Sequence, residues 1–132
     1  MHNLTLDDEI LLYAFNRMFD VLQHQQWLSL YDSKPSTPKI VSYIIGNPLI
    51  AKTMLVHDYS AGLHVPLRVH LVESLGWRGC SVTWDLPSSH IAIGAVKDAE
   101  QETALREAAK VLDGKLEDLI QFITGTEVKA KL

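Results

Sequence analysis

The fold is decided by a stretch in which apolar and polar residues alternate, Leu67-Arg68-Val69-His70-Leu71-Val72. Side chains at successive strand positions point to opposite faces of a sheet. The stretch therefore predicts a strand that places Leu67, Val69 and Leu71 on one face.

A second alternating stretch, Cys80-Ser81-Val82-Thr83-Trp84-Asp85-Leu86, follows a predicted turn at residues 76–79. It predicts a half-buried strand that ends at Pro87. Because Cys80 alternates with Val82 and Trp84, we expect it to be a buried, small apolar residue. A further short strand is predicted over residues 90–95.

Upstream, two segments rich in apolar and aromatic residues predict strands over Trp27–Tyr31 and Lys39–Ile45. Gly46-Asn47-Pro48 then ends the second strand and begins a helix to about His57. Asn47 can cap that helix, and proline suits a first helical position because an N–H there has no intrahelical partner. Residues 58–66 are predicted to form a loop.

Helices are predicted at both ends of the chain. The first begins near Thr5, and its apolar residues recur at helical spacing: Ile10, Leu11, Ala14, Phe15, Met18, Val21 and Leu22. The last is capped near Asp98, keeps one apolar stripe from Leu105 to Ile123, and ends at Gly125.

The order of these elements determines the predicted fold class. Adjacent strands without crossover helices favour a mostly antiparallel sheet of four to five strands. The sequence thus predicts one α+β domain over residues 1–132, in which this sheet packs against helices that include a long C-terminal helix.

The composition excludes several classes of protein. With 47% hydrophobic and 21% charged residues, the 132-residue chain is typical of a folded domain. A net charge of -4 without a basic run argues against nucleic-acid binding and against an anionic membrane surface. The single cysteine and the acidic residues near Met1 favour a cytoplasmic protein.

Two segments resemble the domain of unknown function 302 family: Gly46-Asn47-Pro48, and Gly62-Leu63-His64-Val65-Pro66-Leu67-Arg68-Val69. The similarity runs from about Trp27 to Leu86. The resemblance implies a compact α+β fold with an antiparallel sheet backed by helices, often seen as a dimer, and no settled activity. His64 stands where the family usually has an aspartate.

The candidate site residues lie mainly in and around the resembling segments. His64, Asp85 and Tyr59 are candidates for acid–base chemistry, since imidazole transfers protons near neutral pH. Arg68 could clamp a carboxylate or form a structural ion pair with Asp58 or Asp85. The other candidate ligand-binding residues are His57, His70, Asn47 and Trp77. His70 shares its strand face with Arg68 and Val72, which is consistent with an outer, solvated face.

No His-Glu-x-x-His or paired-cysteine spacing is present, so the sequence assigns no metal ligand and no cofactor. Two hypotheses of function remain. One is a homodimeric domain that binds a small, largely apolar ligand or a protein partner in a helix–sheet groove. The alternative is a cofactor-independent isomerase, cyclase or lyase with His, Asp and Tyr as acid–base groups.

Overall fold

The computed structural model describes residues 17–32, 36–74, 76, 79–91 and 98–125. Within them the elements, in chain order, are β1 (Arg17–Gln23), α1 (His24–Tyr31), β2 (Ile40–Gly46), α2 (Pro48–Leu55), a 3₁₀ helix (Tyr59–Leu63), β3 (Leu67–Glu73), β4 (Cys80–Trp84), α3 (Pro87–His90) and α4 (Ala99–Thr124). The predicted α+β class is confirmed, with an antiparallel sheet and a long C-terminal helix.

The four strands form one sheet in the order β1-β2-β3-β4, and every neighbouring pair is antiparallel. Tyr43 lies opposite Val21 on one side and Val69 on the other, and Val69 lies opposite Trp84. Directly paired residues point to the same face, so this row is apolar across all four strands. The predicted face with Val69 is confirmed, and Val69 itself is buried.

Two compact units can be distinguished in the chain. The first comprises residues 1–49 and 65–85 and contains the sheet and α1. The second comprises residues 50–64 and 86–132 and contains most of α2, the 3₁₀ helix, α3 and α4.

In the second unit, α4 begins and ends where the sequence predicts. The Asp98 side chain accepts a hydrogen bond from the Glu100 N–H, and Gly125 adopts the left-handed conformation that closes the helix. The buried residues of α4 recur every three or four positions: Leu105, Ala109, Leu112, Leu116 and Ile120. The predicted apolar stripe therefore continues past Gly114.

The short helix α3 receives its cap from α4. Asp113 accepts from the backbone N–H of Ser88 at 2.9 Å and from its hydroxyl at 2.5 Å. One carboxylate thus satisfies an N–H group that a helix start leaves without an intrahelical partner. None of the helices in the described part of the chain combines the length and apolarity needed to cross a membrane.

The predicted N-terminal helix is wrong over its last residues, because residues 17–23 form β1. Met18 and Asp20 pair with the consecutive residues Ile45 and Ile44, so β1 contains a register shift. Such an extra residue breaks the period-2 pattern by which a strand is recognised. The predicted helical residues from Thr5 to Phe15 lie outside the described residues.

The strand predicted over Trp27–Tyr31 is also wrong, because these residues belong to α1. A short apolar run fits a helix segment as well as a strand, and its length alone does not distinguish them. The helix begins directly after Gln23, whose side-chain oxygen accepts a hydrogen bond from the side-chain amide of Gln26 at 2.9 Å. This side-chain contact brings together residues three apart, as a helical turn requires.

Two smaller predictions need correction. Cys80 is exposed, because it is the first residue of β4 and, within the described residues, β4 pairs on one side only, with β3. His90 ends α3 and so does not begin a strand. Residues 92–95 of that predicted strand lie outside the described residues.

Candidate functional site

A polar row crosses the face of the sheet opposite the apolar row. Ser42 pairs with Leu22 of β1 and with His70 of β3, and His70 pairs with Thr83 of β4. Ser42 is 3% exposed, His70 is half-buried and Thr83 is exposed. The row therefore passes from a buried hydroxyl to an accessible one, with an imidazole between them.

Helix α1 places two more side chains on this row. Its first residue, His24, lies with Nε2 at 3.2 Å from Ser42 Oγ, and Ser42 Oγ lies 2.7 Å from His70 Nδ1. One helical turn later, the Trp27 indole N–H donates to His24 Nδ1 at 3.3 Å. Trp27, His24, Ser42 and His70 thus form one continuous chain of hydrogen bonds, called here the Trp–His–Ser–His chain.

The chemistry of tryptophan sets the direction of this chain. An indole N–H only donates, so Nδ1 of His24 accepts, and a neutral His24 carries its proton on Nε2. His24 then donates to Ser42 Oγ. The Ser42 hydroxyl is buried and has no other acceptor among the described residues, so we assign its single proton to the bond with His70 Nδ1. A neutral His70 therefore carries its proton on Nε2. Within the described residues, that Nε2–H has no hydrogen-bond partner.

Apolar side chains border the polar row. Val72 pairs with Ile40 and Arg68 pairs with Ile44, and these four residues share the face of His70. Ile40, Ile44 and Val72 are half-buried, whereas Arg68 is exposed. A fixed N–H donor among aliphatic neighbours, with a cation two residues away, can hold a small molecule that has an apolar body and a polar group.

The candidate acid–base residues belong to different units. Asp85 follows β4 directly in the first unit, whereas Tyr59 and His64 belong to the second. Tyr59 begins the 3₁₀ helix and is 90% exposed, and His64 follows the end of that helix. The His64 ring stacks on the His90 ring, with centroids 5.4 Å apart.

The other candidate ligand-binding residues have local partners. His57 Nδ1 lies 2.5 Å from the Gln101 side-chain oxygen on α4. Asn47 is buried, and its side-chain oxygen accepts from the Leu49 N–H at 2.9 Å, which is the predicted cap of α2. Trp77 lies outside the described residues. In the described part of the chain, no group of three or more His, Cys, Asp or Glu side chains is arranged to hold a metal ion.

Ser42 was not singled out from the sequence as a site residue. The available signal was Ser42 itself, a hydroxyl in the middle of the apolar run Lys39–Ile45. A polar group buried in a sheet needs a hydrogen-bond partner, so such a residue predicts a polar neighbour on an adjacent strand. The sequence did not reveal which residues those neighbours are.

Comparison with protein-family models identifies the family. A family model described as "Domain of unknown function DUF302" matches residues 17–121, a range that extends beyond both ends of the resembling segments. The resemblance inferred from the two motifs is confirmed. No curated protein matches the chain.

The direction of the Trp–His–Ser–His chain can be measured. Two-bond ¹H–¹⁵N spectra, at a pH of about 8 where imidazoles are neutral, are expected to show His24 and His70 with the proton on Nε2. Trp27→Phe keeps an aromatic body but removes the only fixed donor, so His24 should lose its single tautomer. A wild-type spectrum with the His70 proton on Nδ1 would contradict the assigned direction.

Replacing Ser42 tests how much the Trp–His–Ser–His chain contributes to the free energy of unfolding. Ser42→Ala removes both imidazole contacts of a buried hydroxyl, so the free energy of unfolding in urea should fall by about 1–3 kcal/mol. Ser81→Ala is the matched control, since Ser81 is an exposed strand residue, and it should change the free energy by less than about 0.5 kcal/mol. Equal effects of the two substitutions would show that the Ser42 contacts do not stabilise the fold.

The carboxyl group of Asp58, which precedes the 3₁₀ helix, is the subject of a pH titration. The hydroxyl and the backbone N–H of Ser60 donate to Asp58 and hold the pKa of that carboxyl below its usual range. The carboxylate therefore stabilises the fold at neutral pH, and this contribution is lost as the pH falls through the lowered pKa. In ¹³C NMR titrations, Ser60→Ala should raise the Asp58 pKa. Ser89→Ala, whose hydroxyl donates to the Leu86 carbonyl instead, should leave it unchanged.

Proposed function

The chain belongs to the family described as domain of unknown function DUF302, and we propose that it is a small binding domain with a ligand site on the polar face of its sheet. In this proposal a small, largely apolar molecule lies beside α1 and accepts a hydrogen bond from His70 Nε2–H. Two copies of the chain form the working unit.

The observation that carries the proposal is the Trp–His–Ser–His chain. Three side chains act in series to fix the ring orientation and the tautomer of His70. A donor held in this way loses little conformational entropy when a ligand binds, which favours recognition of one particular acceptor. The aliphatic neighbours Ile40, Ile44 and Val72 supply the apolar surface that a ligand site requires.

The Trp–His–Ser–His chain favours binding over acid–base catalysis. A proton relay needs a group at its far end that can replace the proton given to the substrate. Here the far end is the Trp27 indole, which donates a hydrogen bond but does not act as an acid near neutral pH. The chain therefore orients His70 without resupplying it with protons. The isomerase, cyclase or lyase alternative gains no support from it.

A fragment screen tests the ligand site. Small aromatic acids, amides and alcohols are added to the full-length protein, and binding is followed in ¹H–¹⁵N and imidazole spectra. Fragments that shift the His70 signals are expected to bind His70→Ala at least about ten-fold more weakly, because the oriented donor is gone. His57→Ala is the matched control, since His57 is also half-buried and its side chain contacts Gln101 rather than any residue of the Trp–His–Ser–His chain.

Two results of this screen would count against the proposal. One is a screen in which no fragment moves the His70 signals. The other is a set of binders whose affinity is the same for wild type and for a His70→Ala variant with an unchanged circular dichroism spectrum.

The outward face of α4 supports the dimer. Apolar residues on this helix remain exposed: Val111, Leu119, Phe122 and Ile123. Between them, Gly114, Lys115 and Asp118 are also exposed. Neither Lys115 nor Asp118 forms a salt bridge with a described residue. A helix face with unpartnered apolar and charged groups is suited to bind a complementary surface.

A second copy of α4 is complementary to this face when the two helices are antiparallel. With the two-fold axis between positions 116 and 117, Val111 lies opposite Phe122, and Lys115 lies opposite Asp118. Leu119 then lies opposite Gly114, where no atom occupies the space of a side chain. Each pair occurs twice, as a two-fold interface requires.

Charge exchange tests the dimer. Lys115→Asp places two carboxylates opposite each other, so the dimer seen by light scattering and sedimentation should shift to monomer. Adding Asp118→Lys to the same chain restores opposite charges and should restore the dimer. Arg106→Asp makes the same charge change at an exposed position of α4 outside the paired positions 109–124 and should leave the dimer intact. A wild-type chain that stays monomeric at about 100 µM, a weak-binding concentration, would rule out this interface.

A further inference from the structure

We infer that the ligand of the polar sheet face is a small organic carboxylate, held jointly by Arg68 and His70. This inference rests on the proposed binding function and names the chemical class of the ligand. Its carboxylate would accept hydrogen bonds from the Arg68 guanidinium and from His70 Nε2–H, while its apolar body would lie on the aliphatic residues of the same face.

The placement of the two donors supports a shared acceptor. Arg68 and His70 are two positions apart on β3 and therefore share a face, with Cα atoms about 7 Å apart. The guanidinium offers parallel N–H groups that match the two oxygens of a carboxylate. The Trp–His–Ser–His chain leaves His70 Nε2 as a donor, so both groups offer hydrogens to the same acceptor.

The charge on Arg68 is available to a ligand. Arg68 is exposed and forms no salt bridge with any residue the structure describes. Two acids lie near its row. Asp20 lies beyond Ile44 on β1, and Asp85 directly follows Trp84, the partner of Val69. Neither acid forms a salt bridge with Arg68. Two strand spacings separate the backbones of Asp20 and Arg68 by about 10 Å. The Asp20 carboxylate accepts from the Val21 N–H at 2.8 Å.

The surrounding residues limit the size of the ligand body. Ile44 lies opposite Arg68, and Val72 lies on the other side of His70 along β3, opposite Ile40. These half-buried side chains form aliphatic surface on both sides of the donor pair. One aromatic ring or a short branched chain attached to the carboxylate is sufficient to cover it. A phosphate fits less well, because it would leave oxygens without donors among these aliphatic residues.

Matched acid and amide probes test the inference. Benzoate and benzamide have nearly the same shape, but only benzoate is charged. In NMR titrations of the full-length protein at neutral pH, benzoate is expected to bind about ten-fold more tightly than benzamide, as a charge-assisted pair requires. The affinity for benzoate should fall as salt is added, since salt screens an exposed charge.

Arg68 variants locate the source of this preference. Arg68→Gln should bring the benzoate affinity down to that of benzamide, and Arg68→Lys should recover only part of it because lysine lacks the bidentate fork. Arg106→Gln is the control, since Arg106 is exposed on α4 and already paired with Glu102 at 2.6 Å, and it should change neither affinity. Thermal melts of each variant test whether the fold is retained.

The outcomes separate this inference from the binding function itself. If benzamide binds as tightly as benzoate and both depend on His70, the carboxylate assignment is overturned and the binding site stands. If benzoate keeps its advantage in Arg68→Gln, Arg68 is not the clamp and the inference is overturned. If neither probe nor any other fragment moves the His70 signals, the binding function is overturned as well.

Discussion

The first unit depends on one hydroxyl in the middle of the sheet. Ser42 is buried, and a buried hydroxyl without partners costs free energy. Its two imidazole contacts remove this cost and at the same time join β2, β3 and α1. The requirement to satisfy Ser42 thus positions α1 at the sheet and gives His70 its orientation. Stability and the candidate binding site have the same physical origin.

Strand register makes this arrangement specific. Ser42 lies opposite Leu22 and His70 and next to Tyr43, which belongs to the apolar row. A slip of one residue would turn Ser42 toward the apolar face and a large aromatic ring toward the polar face. The alternation of β3 and β4 and the single hydroxyl of β2 therefore select one pairing, and the polar row exists only in that pairing.

The elements that could be predicted from sequence are those whose pattern is local. β3, β4 and α4 repeat with the period of their own structure, and the caps at Asp98 and Gly125 mark the helix ends. β1 and α1 could not be predicted, since a register shift masks the period of β1 and α1 is too short to show its own. His70 and Arg68 were nominated because they lie in or beside a segment that resembles the family. Their relation to His24 and Ser42 depends on pairing between distant segments, which no local pattern contains.

The exposure of Cys80 has a practical consequence. It is the chain's single cysteine and lies on β4, next to β3, at the opposite end of β4 from Trp84. A thiol-reactive fluorophore or spin label would therefore attach at one position of the natural chain without any substitution. Such a reporter would sit on the same sheet as the Trp–His–Ser–His chain, but not among the residues that form it.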